Sequence, residues 1–231
     1  MGKPKRIILD VPRFVQGKGE CGPTSLRQIL AYYMGEHAPA KEEVLKNICM
    51  TEYGSWNTDL GVYAMELGFF AKITMNDVWL IDPTWASLPK EALESKIKSR
   101  ILFEKNGLLR EGLKSILRLF DACGNIEIAI ASKEDLVHSL ENGIPPLLSV
   151  CSTILRGEMR RRYSDGTSSD IEGGPRGHKV VLAGYEKGKF LVIDTNPKTE
   201  GKYWVDEARL LMAWYFWGGW VLYLEKKEGM P

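Results

Sequence analysis

The sequence lacks most of the features that would place it outside ordinary globular proteins. No apolar run approaches the roughly 18 residues that a membrane-spanning helix needs, so no transmembrane span is expected. Neither charge sign is in surplus: 31 Lys and Arg stand against 30 Asp and Glu, a formal charge of +1. A chain that neutralises phosphates carries a basic excess, so nucleic acid is not expected as a partner. The four cysteines, Cys21, Cys49, Cys123 and Cys151, include no C-x-x-C pair. Zinc and thioredoxin-type chemistry therefore have no support, and no metal or cofactor is implied. The N-terminus MGKPKRIILDVPRF is basic, but Asp10 and Pro12 interrupt its apolar stretch, unlike a signal peptide. A cytoplasmic location with reduced thiols is the expectation. There is no internal repeat and no low-complexity segment. Histidine is scarce: His37, His138 and His178 are the three.

What is present suffices for a core. The 231 residues are 44% hydrophobic and 26% charged, which excludes a disordered chain. Length allows one or two domains, and no Pro/Ser/Gly-rich linker divides the chain. A single domain over 1–231 is expected, with a helical insertion at 74–124. Residues 21–34 read as a helix: Leu26, Ile29, Leu30 and Tyr33 share one face, Pro23 suits the first turn and Gly35 the stop. Further helices are expected at 41–49, 57–67, 89–105, 110–123 and 206–215, with a short one opened by Ser132 and Asp135. Strands are expected at 69–73, 147–153, 179–185, 189–194 and 220–225. Ile126, Ile128 and Ile130 read as one face of another. Glu186-Lys187-Gly188 reads as a hairpin turn and 156–177 as a surface loop. Helices first and strands later make an α+β order, with N-terminal helices packed on a C-terminal antiparallel sheet.

Four residues carry candidate chemistry. Cys21 opens a helix, where unpaired amides and the macrodipole favour a thiolate. Cys49, Cys123 and Cys151 read as small buried hydrophobes. His178 opens the strand KVVLAGY, which holds a side chain rigidly enough for a general base. His37 reads as a loop residue and His138 as a solvated one. Asp194 ends the next strand, and the hairpin returns that end beside His178, where a carboxylate can orient the ring. Asn196 is a neighbour able to do the same, and Asp194 also suits a plain turn. Gln16 lies in the Gly-rich stretch FVQGKGECG; its amide together with the Cys21 backbone N–H would form an oxyanion hole, although an isolated loop Gln is more often simply exposed.

As an ordered set these residues resemble the papain-like cysteine peptidase superfamily, and within it the bacteriocin-processing, double-glycine leader peptidases and their free-standing relatives. The resemblance rests on Gln16-GKGE-Cys21-GPTSLRQILAYYMG and on Gly177-HKVVLAGYEKGKFLVID ending at Asp194. Weaker echoes are WNTDLGVYAMELGF from Trp56, ENGIPPLLSV from Glu141 and the Trp-rich end near Trp217. It implies a papain-like fold and catalysis by Cys21, His178 and Asp194 with Gln16, on a peptide or protein substrate. The chain departs from the family in three places. The family's Gln stands one residue further from its Cys, residues 74–124 have no counterpart, and the 156–176 loop is longer. Exporter segments, fused to the best-known members of the family, are not expected here.

Three functions fit: a cysteine peptidase, an amidase, deamidase or transglutaminase working through the same thioester, and a non-catalytic peptide-binding module. Arg156, Arg160, Arg161 and Arg162 read first as a solvated loop and second as a selector of acidic substrate tails. Trp204, Trp214, Trp217 and Trp220 read as core before groove lining. Trp56 and Asn57 are placed near the cleft. Oligomeric state is not legible.

Overall fold

The computed structural model describes residues 6–52 and 54–227. The chain begins with a short strand, β1 (Ile7–Ile8), and then forms helix α1 (Cys21–Met34). Leu26, Ile29 and Leu30 are fully buried and Tyr33 is half-buried, as the helical stripe requires. Gly35, with φ 57, ends the helix. Helices α2 (Lys41–Asn47) and α3 (Asn57–Glu66) follow, then strand β2 (Phe69–Met75). Helices α4 (Lys90–Phe103) and α5 (Gly107–Asp121) come next, followed by strand β3 (Ile126–Ile128). Helix α6 (Lys133–Glu141) starts in a capping box in which Ser132 and Asp135 satisfy each other's amides. Strand β4 (Leu147–Cys151) runs into helix α7 (Ser152–Arg156). The expected loop at 156–177 holds a small hairpin, β5 (Arg160–Arg161) with β6 (Ser168–Ser169). The last elements are β7 (Gly177–Glu186), β8 (Lys189–Asp194), β9 (Lys202–Asp206), α8 (Glu207–Tyr215) and β10 (Val221–Lys226).

The strands join in the order β3-β2-β10-β4-β7-β8-β9, and β1 pairs with the far end of β7. All pairings are antiparallel except β2 with β3. The sheet is therefore mixed, and two of its strands come from the first half of the chain. Successive side chains of β7 go to opposite faces. Val181 and Ala183 join the core formed by α1, α3 and α5, while Val180 and Leu182 join the core formed by α6 and α8. Burial on both faces is why KVVLAGY reads as a continuous apolar run.

The β7–β8 hairpin turns at Lys187 and Gly188, both with positive φ, the backbone a two-residue antiparallel turn favours. At Gly184 a Cβ would lie 2.5 Å from the Ile7 carbonyl oxygen. Gly184→Ala is therefore expected to loosen β1 and to lower stability by about 1–3 kcal/mol, measured by urea unfolding.

Several expectations need correction. Ile130 is exposed, because β3 ends at Ile128 and the alternation stops with it. Cys49 and Cys123 are exposed, and Cys151 alone of the three is buried. Helix α2 ends before Cys49, and Cys123 sits past the end of α5 with φ 60, turned off the helix face. β1 and β9 were not anticipated; each lies at a margin of the sheet.

Candidate active site

Cys21 is the first residue of α1, half-buried against the start of β7. Close approach of helix and strand depends on the next residue. A Cβ at Gly22 would lie 2.1 Å from the Ser55 hydroxyl and 3.1 Å from the Lys179 side chain. On the strand, His178 is 7% exposed, and its ring is the largest influence holding the Cys21 thiol below its ordinary value. Its Nε2 lies 2.8 Å from Asp194 Oδ1, which leaves Nδ1 for the thiol. The hairpin makes this possible by pairing Val180 with Asp194 across β7 and β8.

Asp194 is fully buried and saturated with donors. Oδ1 takes His178 and the Asn196 backbone N–H at 2.9 Å. Oδ2 takes the Tyr203 hydroxyl at 2.7 Å and Arg156 at 2.8 Å. The side chain of Asn196 instead accepts from the Lys198 N–H, so Asp194 is the group that reaches the imidazole.

These contacts shift the titration of each group in a definite direction. Burial opposes an imidazolium at His178, but hydrogen bonds to Asp194 and Cys21, with their charges, outweigh it and push the ring up to about 9. Burial likewise opposes charge at Asp194, yet His178, the Asn196 N–H and the Tyr203 hydroxyl hold the carboxyl well below its ordinary range. The Cys21 thiol is lowered: burial raises it, and the His178 hydrogen bond and charge, then the charge and backbone N–H of Lys179, overcome that effect. A thiolate beside an imidazolium is a nucleophile with its proton donor in place.

Lys179 was not singled out in the sequence. Its ammonium is buried between the Ser149 hydroxyl, at 2.7 Å, and Asn57 Oδ1. Burial pushes it down to about 8. The signal was available: a lysine at the head of a strand that is otherwise apolar. Asn57 is thus tied to this lysine, while Trp56 packs on Trp220 with ring centroids 6.0 Å apart. Trp214 and Trp220 are core, Trp204 is 38% exposed and Trp217 packs on Gly177 beside His178.

Gln16 is held at the opposite end of the same constellation. Its backbone N–H donates to the Thr195 carbonyl at 2.9 Å and its Oε1 accepts from the Thr195 hydroxyl at 2.6 Å. Its Nε2 donates to the Gly17 carbonyl at 3.3 Å. The loop between Gln16 and Cys21 is braced by Glu20, whose carboxylate accepts from the Gly17 N–H and pairs with Lys41. Arg160, Arg161 and Arg162 are engaged within the β5–β6 hairpin, with the Asp170 carbonyl, the Gly166 carbonyl and Glu172. His37 and His138 are exposed and lie outside the site. Among the described residues, no group of three His, Cys, Asp or Glu side chains is arranged to hold a metal, and no helix is long and apolar enough to cross a membrane.

Solved structures with the same architecture decide the fold. A Bacillus anthracis protein described as a C39-like peptidase aligns with a TM-score of 0.54 and 16% identity, covering 96% of this chain and 98% of that one. The chain has the papain-like C39 peptidase fold. The peptidase domain of Streptococcus ComA, a bi-functional ABC transporter of a quorum-sensing pathway, aligns at 0.50 with 14% identity, covering 94% and 99%. A double-glycine-motif protease from an AMS/PCAT transporter, solved with its leader peptide, aligns at 0.50 with 15% identity, covering 98% and 100%. No protein-family model and no curated protein sequence matches the chain. These alignments extend over nearly the whole chain. Leu113 and Ile116 of α5 pack in one cluster with Leu26 of α1 and Leu60 of α3.

Proposed function

We propose that the protein is a cysteine peptidase that hydrolyses a peptide or protein substrate through Cys21, His178 and Asp194, acting as one domain. The observation that carries this reading is the His178 ring, bonded to Asp194 at 2.8 Å and lowering the Cys21 thiol at the start of α1. The C39 fold of its neighbours, one of them solved with a leader peptide, supports a peptide as ligand.

The chemistry follows from the protonation states. Cys21 Sγ as thiolate attacks the scissile carbonyl carbon, and the carbonyl π pair moves to oxygen. The Cys21 backbone N–H and the side-chain N–H of Gln16 are the proposed oxyanion donors; Gln16 exchanges its contact with the Gly17 carbonyl for the substrate. The His178 imidazolium gives its proton to the leaving amine as the C–N bond breaks. A thioester remains. Neutral His178 then takes a proton from water, whose oxygen attacks the thioester and releases the acid and the thiolate. Asp194 holds the ring in the tautomer and orientation that both steps need.

The test is incubation with a mixture of peptides, double-glycine sequences included, read by mass spectrometry. Wild type is expected to yield chain-cleaved products and Cys21→Ala none. A Cys21-dependent mass gain without chain cleavage would replace the peptidase with an amide-modifying enzyme. Peptide retention unaffected by Cys21→Ala, with no product, would make the protein a binding module.

A further inference from the structure

Arg156 is the one arginine of its run that leaves the β5–β6 segment. It is the last residue of α7, and Gly157, left-handed at φ 66, turns the chain away behind it. Its side chain is 12% exposed. One terminal nitrogen donates to Asp194 Oδ2 at 2.8 Å, while Nε donates to Glu158 Oε1 at 2.7 Å and the other terminal nitrogen bonds the same oxygen. The guanidinium is thereby held between two carboxylates, which share its one positive charge.

We propose that Arg156 is a positioning residue of the site: it claims one oxygen of Asp194, sets the carboxylate's rotation, and takes up part of its charge, so that His178 faces a weakened counter-ion. This rests on the cysteine peptidase reading above. The physical argument is a competition. Asp194 carries one negative charge and serves two cationic neighbours. Arginine stays charged at every working pH, so its claim is permanent, whereas the imidazole holds its proton only while the carboxylate favours it. Arg156 therefore makes His178 a readier proton donor to a leaving amine than an unshared aspartate would.

The other charged and titratable groups around His178 are Cys21 from α1, Lys179 from β7 itself, Tyr203 from β9, and Glu158 after α7. Arg176 stands two residues before His178 and shares the field of Arg156, and Arg13 donates to the Asp194 backbone carbonyl rather than to its side chain. None of these but Arg156 and Tyr203 touches Oδ2.

The experiment is titration of the His178 ring by nuclear magnetic resonance, with Cys21 alkylation followed against pH, in wild type, Arg156→Met and Arg156→Lys. In Arg156→Met the carboxylate belongs to His178 alone, and the ring is expected to titrate about one pH unit higher, with the alkaline end of the imidazolium range moving the same way. Arg156→Lys keeps the charge and is expected to stay close to wild type. An unchanged or lower His178 titration in folded Arg156→Met would overturn the proposal, as would an equal shift in Arg156→Lys. Circular dichroism reports folding, and if Arg156→Met fails to fold, Arg156→Gln, which keeps a donor without the charge, takes its place: a raised His178 titration supports the proposal and an unchanged one overturns it. The peptidase reading fails separately: it is lost if wild-type Cys21 titrates like a free thiol, whatever His178 does.

Discussion

His178→Ala is expected to cut the alkylation rate of Cys21 at pH 6 by at least about tenfold and to move its midpoint up to or beyond the roughly 8.5 of a free thiol. The sign follows from the contributions at Cys21. Burial raises the thiol, and the His178 hydrogen bond and charge are the largest opposing influences. Removing the ring leaves burial opposed only by Lys179, whose ammonium is itself partly neutral once the pH nears 8. Iodoacetamide labelling read peptide by peptide supplies its own controls, because Cys49 and Cys123 are exposed and distant in role. Their rates are expected to be the same in both proteins. If wild-type Cys21 reacts no faster at pH 6 than these two, the thiolate–imidazolium pair does not form and the catalytic reading falls.

Asp194→Ala is expected to destabilise the protein by about 3–5 kcal/mol at pH 7, the cost of leaving a buried charge without its partner. For a chain of this size that lowers the unfolding midpoint by about 10 °C. His178 can shed its proton when the carboxylate goes, but Arg156 remains charged and 12% exposed, with Glu158 as its remaining counter-ion. Asp194→Asn keeps an acceptor for the ring and is expected to cost less. The pH dependence has a definite direction. Asp194 is held well below its ordinary value of 3.8, so its stabilisation is present above that pH and fades as the pH falls further. His178 acts in the opposite sense: raised from 6.5 to about 9, it contributes fully below 6.5 and loses its contribution as the pH rises through 9. The gap between wild type and Asp194→Ala should therefore be widest between pH 3.8 and 6.5 and shrink below pH 3.8. Thermal unfolding at about pH 5.5 and about pH 2 measures it; equal gaps at the two values would show that the buried carboxylate does not carry the charge assigned to it.

The candidate site was legible to different depths at different residues. Cys21 at a helix start and His178 at a strand start follow from apolar periodicity, which is local. The return of Asp194 follows from a hairpin only 16 residues long, with a turn whose residues declare themselves. Gln16 was legible as a candidate by its place in a Gly-rich loop, but its tie to Thr195 was not. Arg156 looked like one member of a solvated basic run, and composition offered no means of telling it from Arg160 to Arg162. Lys179 looked like the charged first residue of a strand rather than a buried ammonium.

By itself, then, the sequence determined the elements that carry the site and the order in which Cys21, His178 and Asp194 enter them, because helix stripes, strand alternation and turn chemistry act over a few neighbouring residues. Only the tertiary structure decided which charges meet. Arg156 reaches Asp194 across 38 residues, and Lys179 reaches Asn57 across 122. Only it could pair β2 in parallel with β3, across α4 and α5. A buried charge is tolerated where opposite charge or hydrogen-bond partners converge on it, and that convergence comes from strands and helices packing together, which local pattern does not encode.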